Sequence, residues 1–173
     1  MKIVLIGYMG SGKSTIGKQL AKLLNVQFKD LDQEIEQIEK QPIKEIFVNK
    51  GEIYFRKKEI DVLKTILNEN KNIILATGGG TPCFGNTMEY LNSDTEIKTI
   101  YLKATISTLV SRLYNERKTR PLISHLESKE ELKNFISKHL FERSYFYNLA
   151  SIKVNTENLP EEISEEIKRN VLI

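Results

Sequence analysis

Two glycine-rich stretches offer the most chemistry in this sequence, GYMGSGKS at residues 7–14 and TGGGTP at residues 77–82. The first matches the phosphate-binding pattern G-x-x-x-x-G-K-[ST], directly after the strand-like run KIVLI and directly before a helix-like segment. Its backbone N–H groups can face phosphates, its lysine adds charge for the β- and γ-phosphates, and its serine hydroxyl suits Mg²⁺. We therefore predict an ATP site, with Mg²⁺ as cofactor, formed by Gly7, Gly10, Ser11, Gly12, Lys13, Ser14 and Thr15.

The class of nucleotide-binding protein follows from patterns that the chain lacks. A switch GTPase needs a D-x-x-G turn and an N-K-x-D loop, but no Asp here is followed three residues later by Gly. The related string NKGE at 49–52 falls at a predicted helix junction rather than after a strand. These absences favour a small-molecule kinase, and a non-enzymatic nucleotide-binding module is the alternative class.

Two predicted helices each place an arginine on an apolar face. At about 100° per residue, Arg56 falls in an apolar stripe of segment 52–69 with Glu59 at its border, and Arg143 falls in a stripe of segment 129–148. The apolar residues are Ile53, Ile60, Leu63 and Leu67 in the first helix and Leu132, Phe135, Ile136, Leu140 and Phe146 in the second. A buried charge needs a counter-charge, so the arginines meet either protein carboxylates, as in an Arg56–Glu59 ion pair, or a bound anion. Two arginines beside one glutamate favour a ligand carboxylate, which the planar guanidinium can bind through two hydrogen bonds.

Two aspartates follow the apolar run VQF at 26–28, at the carboxyl end of a predicted strand, where ligands bind in open α/β sheets. One of Asp30 and Asp32 could reach metal-bound water near Ser14, and the other could accept a hydrogen bond from a substrate hydroxyl. Either could instead cap the helix that follows. The sequence leaves these alternatives open.

The triple-glycine loop, residues 77–82, follows another apolar run at 73–77. Three consecutive glycines are costly to order and bury no side chain, so this loop must present bare backbone. Its N–H groups are expected to face the same crevice as Lys13 and the two aspartates. We predict that this loop and the two arginines hold a small acid as phosphate acceptor, while the first loop holds ATP.

The elements that position these residues predict an α/β fold, because short apolar runs alternate with amphipathic segments. The predicted strands lie at 2–6, 26–28, 73–77, 99–102 and 151–154. The predicted helices span 13–24, 31–39, 43–49, 52–69, 84–92, 105–115, 129–148 and 160–170. Segment 115–128 carries several cations and few core-forming residues, so it is either a solvated loop or a lid over the phosphates.

Composition excludes several other classes. A chain of 173 residues, 40% hydrophobic and 28% charged, is typical of one globular domain, which we expect to span 1–173. No apolar run approaches the length of a membrane span, and no signal cleavage site follows the first apolar run, so we expect a cytoplasmic protein without a membrane partner. A net charge of +3 gives no argument for nucleic acid. The one cysteine, Cys83, excludes an internal disulfide framework and is expected to pack rather than react.

Along nearly its whole length the sequence resembles the shikimate kinase family. The resemblance rests on GYMGSGKS at 7–14, KDLDQEIE at 29–36, GEIYFRKKE at 51–59, ATGGGT at 76–81, TRPLI at 119–123 and ERSYFYNLA at 142–150, in that order. It implies a nucleoside-monophosphate-kinase-like fold with a five-stranded parallel sheet, a lid at about 115–128 and a small acceptor-binding insertion at about 31–61. It also implies ATP-dependent phosphorylation of the 3-hydroxyl of shikimate on the route to chorismate, with ATP and shikimate as partners. We expect a monomer.

The resemblance further implies roles for individual residues. Asp32 binds the shikimate hydroxyls and accepts the proton, Asp30 stands behind Mg²⁺-bound water, and Arg120 reaches the transferring phosphate from the lid. The acceptor is then gripped by Arg56, Glu59, Gly78, Gly79, Gly80 and Arg143.

Two points stay open at this stage. Arg112 and Arg117 both precede TRPLI as candidates for the adenine contact, and spacing does not decide between them; Arg117 is counted with Arg120 among the predicted ATP-binding residues. The run IILAT offers no aspartate of the Walker-B type, so the metal must rely on Ser14, phosphates and water. A related small kinase such as gluconate kinase is the alternative, although an acceptor without a carboxylate would leave Arg56 and Arg143 unexplained.

Overall fold

The computed structural model describes residues 1–172 and contains a parallel five-stranded sheet in the order β2-β3-β1-β4-β5. Its strands are β1 (Lys2–Ile6), β2 (Gln27–Asp30), β3 (Ile73–Ala76), β4 (Ile97–Lys103) and β5 (Ile152–Asn155). The helices are α1 (Lys13–Leu24), α2 (Leu31–Glu39), α3 (Ile43–Glu69), α4 (Thr87–Ser93), α5 (Ile106–Glu116), α6 (Lys129–Asn148) and α7 (Pro160–Val171). The predicted α/β architecture is confirmed, while Ile173, the last residue of the predicted domain, lies outside the described residues.

The sheet is buried on both faces because successive side chains of β1 alternate between two apolar cores. Val4 and Ile6 face the larger core, which is built mainly by α2 to α6. Ile3 and Leu5 face a second core formed with α1 and α7. Both faces are therefore fixed by packing, which leaves the carboxyl edge of the sheet as the place for ligands.

The register of the sheet brings three chemically distinct segments to that edge. Ala76 at the end of β3 pairs with Leu5 of β1 on one side and with Asp30 of β2 on the other. The segments that leave these strands therefore emerge side by side. They are the phosphate loop (residues 7–14), the two aspartates and the triple-glycine loop, as the sequence predicted.

Helix α3 shows where the helical wheel was right and where it was wrong. Gly51 has φ 81° and ψ 170°, so the predicted break between 43–49 and 52–69 is confirmed. The buried face of the second half is centred near Glu59, and Ile53 stands about 120° from it around the helix. Ile53 is accordingly 79% exposed, and its predicted place in the inward stripe was wrong; Phe55, which the stripe omitted, is 3% exposed.

The predicted helix at 84–92 also differs from the structure. Thr81–Cys83 forms one 3₁₀ turn, Phe84 is extended, and α4 begins only at Thr87. The Thr87 hydroxyl donates a 2.7 Å hydrogen bond to the carbonyl oxygen of Phe84, which holds the extended residue in place. Within residues 1–172 no helix has the length and apolar character needed to cross a membrane.

Candidate active site

The phosphate loop folds as its glycines allow. Gly10 and Gly12 have φ of 79° and 96°, values that other residues rarely adopt, and Gly12 caps the N-terminus of α1. Lys13 Nζ donates hydrogen bonds of 2.8 Å and 3.0 Å to the carbonyl oxygens of Gly7 and Tyr8. Burial lowers the pKa of this ammonium to about 8, and the nearby carboxylates of Asp32 and Asp30 only partly offset that effect. The loop is thus preformed around a lysine whose charge is poorly solvated.

Asp30 and Ser14 join the phosphate loop to β2. Ser14 Oγ donates a 2.8 Å hydrogen bond to Asp30 Oδ2, while Asp30 Oδ1 accepts one of 3.2 Å from the backbone N–H of Asp32. Asp30 therefore caps α2, the alternative that the sequence left open, and its second oxygen still reaches Ser14. A paired hydroxyl and carboxylate beside a phosphate loop fit Mg²⁺, which prefers oxygen ligands and keeps several waters. Within residues 1–172 no group of three or more His, Cys, Asp or Glu side chains could hold a metal ion. The phosphates and water must therefore supply the other ligands.

Asp32 lies at the start of α2, between the phosphate loop and the triple-glycine loop. Burial raises the pKa of this carboxyl to about 6, and the negative charges of Asp30 and Glu59 add to the effect. Lys13 opposes the shift without cancelling it. A carboxylate with a raised pKa is a better proton acceptor than an ordinary aspartate and is still ionised at neutral pH.

Arg56 lies beside the triple-glycine loop and uses only part of its hydrogen-bonding capacity there. Its Nη1 donates a 2.8 Å hydrogen bond to Oε2 of Glu59, whose side chain is 1% exposed. The other Glu59 oxygen accepts a 2.6 Å hydrogen bond from Thr81 Oγ1. Arg56 Nε is buried and has no hydrogen-bond partner, although Oε1 of Glu52 lies 3.5 Å away. The ion pair considered from the sequence thus exists, and it still leaves guanidinium donors free.

Arg143 approaches the same loop from α6. Its guanidinium carbon lies 5.8 Å from the centre of the Tyr8 ring, and it forms no ion pair with a carboxylate of residues 1–172. A Cβ built on Gly79 would lie 3.7 Å from Arg143 Nη1. Two arginines therefore flank the loop: Arg56 pairs with Glu59 and lies near Glu52, whereas Arg143 has no carboxylate partner within residues 1–172.

The triple-glycine loop is tight because of its neighbours rather than its backbone conformation. Gly78, Gly79 and Gly80 have no positive φ, so backbone conformation alone does not require glycine at these positions. Space is the constraint instead: a Cβ on Gly80 would lie 2.8 Å from Arg56 Nη2, and one on Gly78 would lie 3.0 Å from Oδ1 of Asp32. The Gly79 carbonyl oxygen accepts a 2.6 Å hydrogen bond from the hydroxyl of buried Tyr147, which fixes the loop from behind.

The predicted lid contains two arginines in different settings. Arg120 donates hydrogen bonds of 3.1 Å and 2.6 Å to Glu116 Oε2, and both residues line the cleft beside the phosphate loop. Arg117 instead donates to the carbonyl oxygens of Tyr114 and Leu126 and stacks on the Tyr114 ring. The structure places Arg117 outside the wall of the cleft.

Arg112, the other candidate for the adenine contact, is held by two backbone carbonyl oxygens. Its Nη1 donates a 3.1 Å hydrogen bond to the carbonyl oxygen of Gly10, and its Nη2 donates one of 2.9 Å to that of Thr156. It lines the cleft together with Pro160 at the start of α7. The sequence identified Arg112 as a candidate but not Pro160. Proline is common in the first turn of a helix, so its presence at the start of α7 gave no sign that it lines a cleft.

A single cleft of about 450 Å³ joins most of these groups. Three predicted ATP-site residues, Gly7, the buried Ser11 and Arg117, do not line it. Neither do Gly80 of the triple-glycine loop and the residues beside that loop, Arg56, Glu59 and Arg143. The predicted site residues that form the wall of the cleft are Gly10, Gly12, Lys13, Ser14, Thr15, Asp30, Asp32, Gly78, Gly79 and Arg120.

A model of the shikimate kinase family matches residues 9–172 of the chain. Among curated proteins, the shikimate kinase of Flavobacterium johnsoniae is 49% identical over 157 residues, covering 91% of this chain and 90% of the relative. The shikimate kinase of Flavobacterium psychrophilum is 43% identical over 169 residues, covering 97% of both chains. The resemblance stated from the sequence is confirmed.

Solved structures agree with the sequence relatives. The crystal structure of shikimate kinase from Bacteroides thetaiotaomicron gives a TM-score of 0.92 at 34% identity, covering 100% of this chain and 99% of that one. The Acinetobacter baumannii shikimate kinase in complex with shikimate gives 0.84 at 31% identity, covering 99% and 92%. A gluconokinase from Sinorhizobium meliloti, with a TM-score of 0.57 at 16% identity over 99% and 95% of the chains, shares the fold alone.

Proposed function

Because the chain belongs to the shikimate kinase family, we propose that it transfers the γ-phosphoryl group of ATP to the 3-hydroxyl of shikimate, releasing ADP and shikimate 3-phosphate for the route to chorismate. One observation carries the acceptor half of this proposal. Arg143 flanks the triple-glycine loop without an ion pair to any carboxylate of residues 1–172, and Arg56 faces the loop through Nη2, beside its contacts with Glu59 and Glu52. A small carboxylic acid is the ligand that such a pair of guanidinium groups recognises.

The nucleotide half rests on the phosphate loop. Backbone N–H groups between Gly10 and Thr15 receive the phosphates at the N-terminus of α1, except that of Ser11, which donates to the carbonyl oxygen of Tyr8. Lys13 exchanges its loop carbonyls for phosphate oxygens. Arg112 and Pro160 also line the cleft and receive the adenine. Ser14 and Asp30 would hold Mg²⁺ directly or through water, and the ion would supply positive charge beside the phosphates.

The acceptor half brings shikimate against the end of the cleft. Arg56 and Arg143 bind its carboxylate, while the N–H groups of Gly79 and Gly80 bind oxygen atoms of the acid without a side chain in the way. Glu59 holds Arg56 in place through its ion pair and is itself fixed by Thr81. Asp32 then faces the hydroxyl that reacts.

The chemical step follows from the position of Asp32 between the two halves. Its carboxylate accepts the proton of the 3-hydroxyl as that oxygen bonds to the γ-phosphorus and the bond to the ADP oxygen breaks. Arg120 leaves Glu116 and stabilises the charge on the transferring group. Residues 115–128 act as the lid that excludes water, because water would otherwise accept the phosphoryl group.

An ADP-release assay with a panel of acceptors tests the proposal. We expect turnover with shikimate and little with gluconate, which keeps a carboxylate and hydroxyls but lacks the ring, or with nucleoside monophosphates. Preferred turnover of gluconate would identify the alternative kinase. The absence of turnover with every acceptor, in a protein that binds ATP, would favour a nucleotide-binding module.

The remaining expectations concern the state of the protein in the cell. We propose a monomer that acts in the cytoplasm, where ATP is supplied, because the residues assigned to both substrates come from one chain. Light scattering coupled to gel filtration measures the mass directly. A mass near 20.0 kDa is expected, and a multiple of it would contradict the monomer.

A further inference from the structure

Phe84 lies against the guanidinium group of Arg56, and nothing so far assigns it a role. The guanidinium carbon is 4.1 Å from the centre of the Phe84 ring, and the Phe55 ring lies 5.2 Å away. Phe55 is a core residue at 3% exposure, whereas Phe84 is 36% exposed. Core packing therefore accounts for Phe55 but not for an aromatic ring kept at the surface.

The contact leaves the hydrogen-bonding edge of Arg56 free. An aromatic ring attracts a cation through its face and takes up none of its N–H donors. Glu59 uses one donor, on Nη1, and the buried Nε lies 3.5 Å from Glu52 Oε1, whereas Nη2 beside Gly80 forms no hydrogen bond within residues 1–172. Phe84 thus covers the guanidinium while donors remain available in the guanidinium plane, which is where a carboxylate binds.

The backbone of Phe84 is itself fixed. Its carbonyl oxygen accepts hydrogen bonds from the N–H and the hydroxyl of Thr87, at 3.3 Å and 2.7 Å. The preceding 3₁₀ turn connects it directly to Gly80, whose Cα leaves no room for a side chain beside Arg56. Arg56 is therefore confined by Glu59, by the bare backbone of Gly80 and by the Phe84 ring.

We propose that Phe84 is a positioning residue for the acceptor site. It holds the Arg56 guanidinium in the plane needed to receive the acceptor carboxylate, and it shields that ion pair from water. This inference rests on the proposed function, because it assigns Arg56 to the carboxylate of shikimate. Phe84 acts through Arg56 and takes no part in ATP binding or in the phosphoryl transfer itself.

The test is a double-mutant cycle on the Michaelis constants. Phe84→Leu is expected to raise the shikimate KM about three- to tenfold, with the ATP KM and kcat near wild type, and Phe84→Tyr to restore the wild-type value. In an Arg56→Gln background, Phe84→Leu should add no further increase, because the group it positions is gone. Phe141→Leu on α6 is the matched control, since Phe141 is 85% exposed and takes part in none of these contacts.

Each other outcome has a defined meaning. The inference is overturned if Phe84→Leu leaves the shikimate KM unchanged, or raises it equally in the wild-type and Arg56→Gln backgrounds. In either case, turnover of shikimate by the wild-type enzyme still supports the proposed function. The absence of wild-type turnover contradicts the proposed function instead. If Phe84→Leu melts at a lower temperature than wild type, Phe84→Met is measured in the same cycle. A rise in the KM of both substrates in proportion to the loss of folded protein also overturns the inference.

Discussion

Gly80 and Arg56 are in such close contact that a Cβ on Gly80 would lie 2.8 Å from Arg56 Nη2. A Cβ on Gly79 would meet nothing closer than 3.5 Å, an ordinary van der Waals separation. The two neighbouring glycines therefore differ in how a side chain would affect them. A methyl group at Gly80 would clash with Arg56, whereas one at Gly79 would make only ordinary contacts.

We expect Gly80→Ala to raise the shikimate KM about tenfold or more, because the methyl group must displace Arg56, and Gly79→Ala to raise it less. The ATP KM should stay near wild type for both variants, since the phosphate loop is separate. Melting temperatures measured alongside the two KM values distinguish a role of the triple-glycine loop in acceptor binding from a purely structural role. Parallel losses for both substrates together with a lower melting temperature would mean that the triple-glycine loop is only a turn.

Lys13→Ala should lower kcat by about 100-fold or more while the protein stays folded, because the ammonium stabilises charge on the transferring phosphoryl group. The lysine is held by two backbone carbonyls that water can satisfy in its absence, so little stability is lost. Steady-state kinetics and circular dichroism measure both effects. Near-normal turnover in a folded Lys13→Ala protein would refute the assignment of the phosphate loop.

Asp32 should oppose stability and support activity at the same pH. Its pKa is raised in the folded protein from 3.8 to about 6, so the protonated carboxyl stabilises the folded state. This contribution to the free energy of unfolding is fully present below pH 3.8 and is lost as pH rises through about 6. Asp32→Asn, which mimics the protonated form, should therefore melt at a higher temperature than wild type above pH 6, and the difference should shrink towards pH 4. Its kcat should fall about 100-fold or more, because the proton acceptor is missing.

Thermal melts across this pH range, with exposed Asp61→Asn on α3 as control, check the prediction. In the wild-type enzyme kcat should rise with pH through a value near 6 if shikimate leaves the environment of Asp32 unchanged. A difference in melting temperature that does not depend on pH would contradict the raised pKa.

Arg112→Ala should raise the ATP KM about tenfold with little effect on the shikimate KM, because Arg112 lines the nucleotide cleft and Arg117 does not. Arg117→Ala is the paired variant, expected to change the ATP KM less because its side chain is committed to the carbonyl oxygens of Tyr114 and Leu126. The reverse ranking would restore Arg117 as the adenine contact.

The sequence predicted the sheet and the site because both follow from local patterns. Apolar runs indicated the five strands, and strand ends indicated where the two glycine loops and Asp30 meet. The helical wheel correctly placed Arg56 and Arg143 on the inner faces of their helices but misplaced Ile53. A wheel groups residues by angle and cannot show which angle the surrounding elements bury most deeply. Phe84 was not identified, since its contact with Arg56 crosses between α3 and a loop and leaves no periodic signal.

In the proposed complex Arg56 and Arg143 bind the acceptor through its carboxylate. Comparing kcat/KM for shikimate and for its methyl ester, in wild type and in Arg56→Lys and Arg143→Lys, tests it most directly, because the ester removes the charge and keeps the reacting hydroxyl. We expect wild type to prefer the acid by about 100-fold or more, and each lysine variant to lose activity on the acid and little on the ester. Equal use of acid and ester by wild type, or equal losses on both in the variants, would mean that the arginines serve only internal contacts such as the Arg56–Glu59 pair.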